Sequence, residues 1–520
     1  MSSVEPNTGA ATQAAELSVA ALGRKFTRSV RDNVMAECLV QGVRLCAMVV
    51  LARAWGAAEF GLFRVVMIVA MLSCVLFQPG LLEALVQRKD VDAGHESTSW
   101  WISVGLGIGG VSVLYAAAPA IAWLMAMPRL TEGVRLICLP VLLDCLSVTS
   151  NAHLQRELCF GTLAAAEVSA EIAFVVTALG LLWTALASWS LMGGLAARLA
   201  TRALILLIAA PRPPRQRPSR AAARDLRRFA ATVWSGNLVS LLSANADFLL
   251  VGRLLGASAL GFYMLAWDLL RFVPDRLYKV AGRVTFPAFC QLQDNNRELA
   301  RAYLNFFEYI ARVVLPVAAC AAVAAPELIG TIYGARWLPA AQPLRLLSVG
   351  LALLGLRTAI GSVYFAKGRP AIDIYLHGAR LVLIAAAVYG FSRLGLAAIS
   401  AAMSGVEGLI SVVGLMIASA LVGLRPRDLT AAALPGIKLA LGCAMATAAG
   451  KMLALLCGAG GPAVIALIAI PPAAVFLWLE GARVGAMVAG AFDLDKGGQH
   501  AVIRIMTGRC ITNPGSEEGG

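Results

Sequence analysis

The stretch ARAWGAAEFGLF, residues 52–63, returns as GRLLGASALGFY, residues 252–263, with no gap in the alignment. Arg53 aligns with Arg253, Gly56 with Gly256, Ala57 with Ala257, Gly61 with Gly261 and Phe63 with Tyr263. One short match can arise by chance. Its weight depends on where the two copies fall in the hydrophobic pattern of the chain.

That pattern is dense. Of 520 residues, 59% are hydrophobic and 14% charged, with a mean hydropathy of +0.76. A soluble chain of this length carries roughly a quarter charged residues. The apolar runs are continuous and about 20 residues long, the length at which a helix crosses ~30 Å of hydrocarbon. A membrane barrel would alternate in short segments instead. The expected fold class is therefore an all-α polytopic membrane protein. About fourteen spans are expected, near 34–52, 62–84, 100–125, 133–150, 162–184, 187–210, 229–252, 261–282, 307–333, 342–365, 371–391, 394–423, 430–457 and 461–480.

Each copy of the repeat follows the first span of a group of six. Between the groups lies PRPPRQRPSRAAARDLRR, 211–228, with seven arginines and prolines that disfavour helix at its start. Because six is even, both copies face the same side, which is the signature of a parallel duplication about an axis along the membrane normal. The expected organisation is a segment 1–33, an N-lobe 34–210, a basic linker 211–228, a C-lobe 229–425, two extra helices 430–480 and a tail 481–520. Lysines and arginines crowd alternate loops: Arg24, Lys25, Arg28 and Arg31, then Arg88 and Lys89, the linker, Arg297, Arg301, Lys367, Arg369, Arg425 and Arg427. The opposite loops hold Arg53, Arg129, Arg253, Arg336 and Arg393. By the positive-inside rule both termini are cytoplasmic. With no apolar leader in residues 1–32, the first span is expected to direct insertion.

The net charge of +14 fits basic loops against an anionic leaflet better than nucleic-acid binding. The eleven cysteines contain no CxxC, and most sit in apolar runs as small hydrophobic residues.

The blocks LARAWGAAEFGLF (51–63), NADFLLVGRLLGASALGFYMLAWDLLRFVPDRLYKVAGRVTFPAFCQLQ (245–293) and LARAYLNFFEYIARVVLPVAACAAVAAPELIGTIYGARWLPAAQPLRLLSV (299–348) resemble polysaccharide exporters. These are the Wzx-type lipid-linked oligosaccharide flippases of the multidrug/oligosaccharidyl-lipid/polysaccharide exporter superfamily. The resemblance covers roughly residues 30–425. It implies two six-helix lobes around a central cavity, with the last two spans as additions. It also implies export of an undecaprenyl-diphosphate-linked oligosaccharide across the cell inner membrane by alternating access, for surface polysaccharide biosynthesis. The implied partners are that substrate, membrane lipids, and a polysaccharide polymerase with its export machinery. No cofactor is implied; coupling to a proton or sodium gradient is the candidate energy source. A small-molecule antiporter of the same superfamily and a membrane polymerase or glycosyltransferase are the alternatives.

Charge inside a span is costly, ~2.5–3.5 kcal/mol at mid-membrane, so intramembrane charges mark candidate function. Span eight is the richest: Asp268, Arg271, Asp275, Arg276, Lys279 and Arg283 fit on one face about 140° wide at ~100° per residue. Such a face suits a wet cavity holding a diphosphate, or an interfacial end whose cations snorkel to headgroups. Glu37, Gln41 and Arg44 share a face of span one, and Asp247 in span seven is a candidate ion or proton site or else a hydrogen-bonded interhelical contact. The substrate-path candidates are thus Glu37, Arg44, Asp247, Asp268, Arg271, Arg276, Lys279 and Arg283. Glu167 and Glu171, Asp144, Arg312 and Arg380 are secondary candidates. The repeat itself, with its glycines suited to φ > 0, is expected to be a structural corner built once per lobe.

Overall fold

The computed structural model describes residues 42–476, apart from 45, 89, 212–213, 215, 358–359, 370, 458–462 and 465, and gives backbone alone at 228, 351 and most of 272–288. The described chain is helical. A first helix, α1, covers 46–54. Then come α2 (Ala57–Phe77), α3 (Leu81–Gln87), α4 (Ala93–Met125), α5 (Leu130–Leu146), α6 (Val148–Arg156), α7 (Phe160–Leu182) and α8 (Ser190–Ala209). The second half holds α9 (Arg220–Gln291), α10 (Asn296–Val323), α11 (Ala325–Ile332), α12 (Ala341–Leu356), α13 (Ile360–Ala366), α14 (Ala371–Phe391), α15 (Leu396–Val422) and α16 (Pro426–Leu456). A short apolar helix, α17, follows at Ala466–Phe476.

Ten helices among the described residues are long and apolar enough to span a membrane, or eleven if α5 and α6, bent by 42°, form one span. The expected count of fourteen is not reproduced. The span near 34–52 lies about half outside the described residues, and the one near 461–480 partly so. Spans seven and eight fall in tandem within α9, together covering Phe229–Arg271. That stretch is broken only at Gly256, whose φ of 86° and ψ of 175° interrupt the helix. The helix also starts early, at Arg220, inside the expected linker. There the Ser219 hydroxyl accepts from the Ala222 N–H and takes one of the four donors every helix start leaves open.

The repeat is more than two separate corners. Its copies meet each other. A Cβ on Gly61 would lie 1.9 Å from the Ala257 carbonyl oxygen, and a Cβ on Gly261 would lie 1.9 Å from the Ala57 carbonyl oxygen. The reciprocity is that of a pseudo-two-fold axis running between the copies. Only glycine lets two backbones come this close. Of the four aligned glycines, only Gly256 has positive φ; Gly56 is extended at φ −84°. Gly56 occupies the corner between α1 and α2 without positive φ, and Gly61 and Gly261 serve close approach instead. Trp337 plugs the same junction. Its indole N–H donates to the Ala52 carbonyl at 2.8 Å, and its ring meets Phe60 edge-on at 5.2 Å and Phe262 at 5.9 Å. Arg53 caps a helix: it donates to the carbonyls of Ile332 (2.9 Å) and Thr331 (2.6 Å) at the end of α11, where the helix dipole favours a cation.

The halves also touch at the opposite end. Gly80, left-handed at φ 64°, sits where a Cβ would be 2.5 Å from the Ala230 carbonyl. Arg88 pairs with Asp225 at 3.2 Å, and Leu226 and Ala230 pack with Ala84, Leu85 and Ala152. The start of α9 thus leans on α3 and α6. Away from this junction α16 packs on α10, with Gly436 against the Ala311 backbone, so the added helices lie on the flank of the second half.

Candidate functional site: a cavity between the halves

Between the two points of contact lies a cavity of about 930 Å³. Its wall follows from helical periodicity. On α2 the lining residues Phe60, Arg64, Met67, Met71 and Cys74 recur every three or four positions, as do Asn237, Ser240, Leu241 and Ala244 on α9. Leu195, Arg198 and Leu199 of α8 and Arg44, in the helical residues 42–44 ahead of α1, close one side. Met264, Asp268 and Arg271, from α9 beyond Gly256, close the other. Among the described lining residues there are four arginines, Arg44, Arg64, Arg198 and Arg271, against one carboxylate, Asp268. The site is a basic, partly apolar chamber.

Of the sequence candidates, Arg44, Asp268 and Arg271 line this chamber. Glu37 lies outside the described residues, as do the side chains of Asp275, Arg276, Lys279 and Arg283. Asp247 is not among the lining residues. It is fully buried and accepts a hydrogen bond from the Tyr263 hydroxyl at 2.9 Å, behind the wall. Arg312 pairs with Glu308 along α10 at 2.5 Å.

Two central cations, Arg64 and Arg198, are not legible in the sequence as site residues. Arg64 lies over the Phe248 ring, 3.8 Å from its centroid, and 3.6 Å from Asp268 across the cavity. Arg198 Nε lies 3.1 Å from Glu171 Oε2, and Arg44 Nε lies 3.9 Å from Glu171 Oε1. Behind them the secondary candidates form a ladder. Arg202 donates to Glu167 at 2.5 Å and to Asp144 at 2.9 Å, and Gln78 donates to Asp144 at 2.8 Å.

The second half carries the counterpart with its charges exchanged. Arg380 on α14 binds Glu407 on α15 through Nε at 2.8 Å and through Nη2, and its Nη1 reaches Ser243. Glu171 and Arg198 on α7 and α8, and Arg380 and Glu407 on α14 and α15, are separated by 27 residues in each case. The acid-then-base pair of one half is the base-then-acid pair of the other. The first borders the cavity through Arg198; the second is sealed, with both side chains buried.

Residues 50–342 match a family of polysaccharide biosynthesis proteins. Lipopolysaccharide biosynthesis protein WzxC of Escherichia coli (strain K12) is 26% identical over 356 residues, covering 68% of this chain and 72% of the relative. Teichuronic acid biosynthesis protein TuaB of Bacillus subtilis (strain 168) is 26% identical over 330 residues, covering 62% and 67%. Among solved structures, lipid II flippase MurJ in an inward closed conformation superposes with a TM-score of 0.69 at 13% identity, over 88% of this chain and 99% of that one. An inward-facing multidrug resistance MATE family transporter of the MOP superfamily gives 0.60 at 17% identity, over 73% and 94%. These two likenesses establish the fold: two helical lobes around a central cavity. With its family match spanning more than half its length, the chain belongs to the polysaccharide biosynthesis protein family.

Proposed function

We propose that this chain is a flippase. It moves an undecaprenyl-diphosphate-linked oligosaccharide from the inner to the outer leaflet of the bacterial inner membrane by alternating access, for surface polysaccharide biosynthesis. The observation that carries this reading is the arginine-lined cavity between two lobes that touch at both ends. A diphosphate offers several anionic oxygens, and each guanidinium can meet two of them with parallel N–H donors. The apolar share of the wall, Met48, Met67, Met71, Leu199 and Leu241, suits sugar faces and lipid passing the charged site.

With both termini cytoplasmic, the repeat junction is the outer contact and the Gly80–Ala230 approach the inner one. Alternating access then means breaking one while keeping the other. Translocation needs no bond to be made or broken, so no catalytic residue is assigned. A proton or sodium gradient is the proposed energy source. A polymerase and export machinery acting on the flipped glycan are the proposed partners. The antiporter alternative fits less well, since four arginines repel the cationic compounds such proteins commonly move.

The test is made in the host. Deletion of the gene is expected to accumulate lipid-diphosphate glycan in the inner leaflet and to remove surface glycan. Wild-type protein restores it, whereas Arg64→Gln with Arg198→Gln, inserted at normal levels, does not. Full restoration by that double variant refutes the assigned site, and a deletion with no accumulation refutes the cargo.

A further inference from the structure

The cavity arginines already have partners, and those partners differ in how tightly they hold. Arg202 is gripped, with directed hydrogen bonds of 2.5 and 2.9 Å to two carboxylates. Arg380 is gripped by Glu407 and Ser243. The cavity pairs are loose. Arg64 lies 3.6 Å from Asp268 and Arg44 lies 3.9 Å from Glu171, both beyond hydrogen-bond reach. Arg198 Nε is 3.1 Å from Glu171, yet both that nitrogen and Glu171 Oε2 are buried without a hydrogen-bond partner, as is Arg64 Nε. The tight pairs are structural joints. The loose ones neutralise charge without engaging the donors, which leaves the donors for a ligand.

We propose that Glu171 and Asp268 are resident counter-anions which a lipid diphosphate displaces and a lipid bearing one phosphate does not, so that they set the charge threshold of the cavity. This rests on the diphosphate-lipid reading given above. A singly charged phosphodiester brings the same charge as the carboxylate it must replace and pays the entropy of association besides. A diphosphate carries more charge and more oxygens, and reaches both the Arg44–Arg198 pair and Arg64. The discrimination matters because anionic phospholipids of the inner leaflet present single phosphates in large excess. Selectivity built on disfavouring the competitor is achieved here with two carboxylates held opposite the donors. The exchanged pair in the second half supports the assignment. There the arginine is sealed by a glutamate at hydrogen-bond distance, so of these two equivalent pairs it is the one in the first half that presents a displaceable anion.

The experiment uses the full chain in neutral phosphatidylcholine nanodiscs. Undecaprenyl diphosphate, an undecaprenyl-phosphoryl monosaccharide (the monophosphate probe, a singly charged phosphodiester) and phosphatidylglycerol serve as probes in competition, with bound lipid counted by native mass spectrometry. Wild type is expected to prefer the diphosphate by tenfold or more. Glu171→Gln and Asp268→Asn are each expected to raise monophosphate and phosphatidylglycerol binding roughly tenfold, a change of one charge interaction, without weakening the diphosphate. Glu171→Asp, which keeps the charge, retains selectivity and guards against a variant that merely misfolds. If the wild type is selective and both neutral variants are equally selective, or lose all three lipids together while Glu171→Asp does the same, the counter-anion role is overturned and the cargo reading stands. If wild type binds the diphosphate no better than the monophosphate, the cargo reading falls and the counter-anion role with it.

Discussion

Alanine at Gly61 puts a methyl carbon 1.9 Å from the Ala257 carbonyl oxygen, where an ordinary C···O contact is about 3.3 Å or more. The obstacle is backbone on both sides, so no rotamer relieves it and the helices must part by more than an ångström. Overpacking of this kind costs about 1–3 kcal/mol. Only the conformation with the repeat junction closed bears that cost. At ~1.4 kcal/mol per tenfold, the equilibrium shifts roughly 5- to 150-fold toward the state open at that end. Gly261→Ala meets the same obstacle at the Ala57 carbonyl. One separation relieves both clashes, so the double variant is expected to exceed either single only slightly, a coupled rather than additive pair. Gly56→Ala is the control: nothing lies within 4 Å of its Cβ, and its φ of −84° suits any residue. The readout is Met71→Cys, on the cavity wall, in a cysteine-free background, labelled on whole cells by a membrane-impermeant maleimide. Labelling is expected to accelerate in the Gly61 and Gly261 variants and to stay at baseline in the control. Unchanged labelling in both, or an equal response to Gly56→Ala, refutes the reading of this junction as the outer contact that opens.

Four further outcomes are expected. Arg380→Leu leaves Glu407 buried without its cation and costs about 3–5 kcal/mol; thermal melting of purified protein should show it, and Arg380→Leu with Glu407→Leu should recover most of the loss. Arg202→Gln strips the cation from Asp144 and Glu167 and should lower yield and melting temperature, whereas Arg198→Gln should leave both near wild type and cut glycan export. Trp337→Phe loses the bond to the Ala52 carbonyl, worth about 1 kcal/mol, and should speed Met71→Cys labelling in the same direction as Gly61→Ala. The His95 backbone N–H holds the Asp92 carboxyl below its ordinary range, so that cap on α4 contributes above the usual aspartate value and is lost as pH falls through the lowered one. Protection from hydrogen exchange in the first turn of α4, taken relative to the intrinsic rate at each pH, should fall at that acid limit in wild type and stay constant there in Asp92→Asn.

The duplication, the helical class and the order of spans were legible because they are written in hydrophobicity and in one repeated dozen residues. Half of the cavity was legible too. Arg44, Asp268 and Arg271 share helix faces with other polar residues, and a face is visible at 3.6-residue spacing. Arg64 and Arg198 were not, because Arg64 stands alone in an apolar run, FGLFRVVMI, and Arg198 is accompanied in GLAARLATR by Arg202 with no acid nearby in sequence. Their partners come from other helices: Asp268 on α9, and Glu171 on α7. For Asp247 both outcomes were open, an ion site or a hydrogen-bonded contact between helices, and the sequence could not choose. A buried acid reads the same in sequence whether it faces a channel or the Tyr263 hydroxyl. The repeat was found but its role was not, since two matching segments reveal kinship and not that they touch. Comparing the halves pairwise does hold one further signal: Glu171 with Arg198, and Arg380 with Glu407, at equal spacing and opposite sign.

That exchange of sign bears on why the two halves are one chain. A dimer of identical six-helix units would place the same charge at equivalent points on both sides of its axis. Two displaceable carboxylates or two sealed arginines would be the choices, with nothing between. Joined in tandem, the copies were free to diverge, and one half specialised in exposing its cation while the other locked its own away. An engineered pair of identical N-terminal halves is therefore expected to assemble a chamber of the right shape and the wrong electrical asymmetry. Covalent fusion, more than the number of helices, is what allows this protein to have a front and a back.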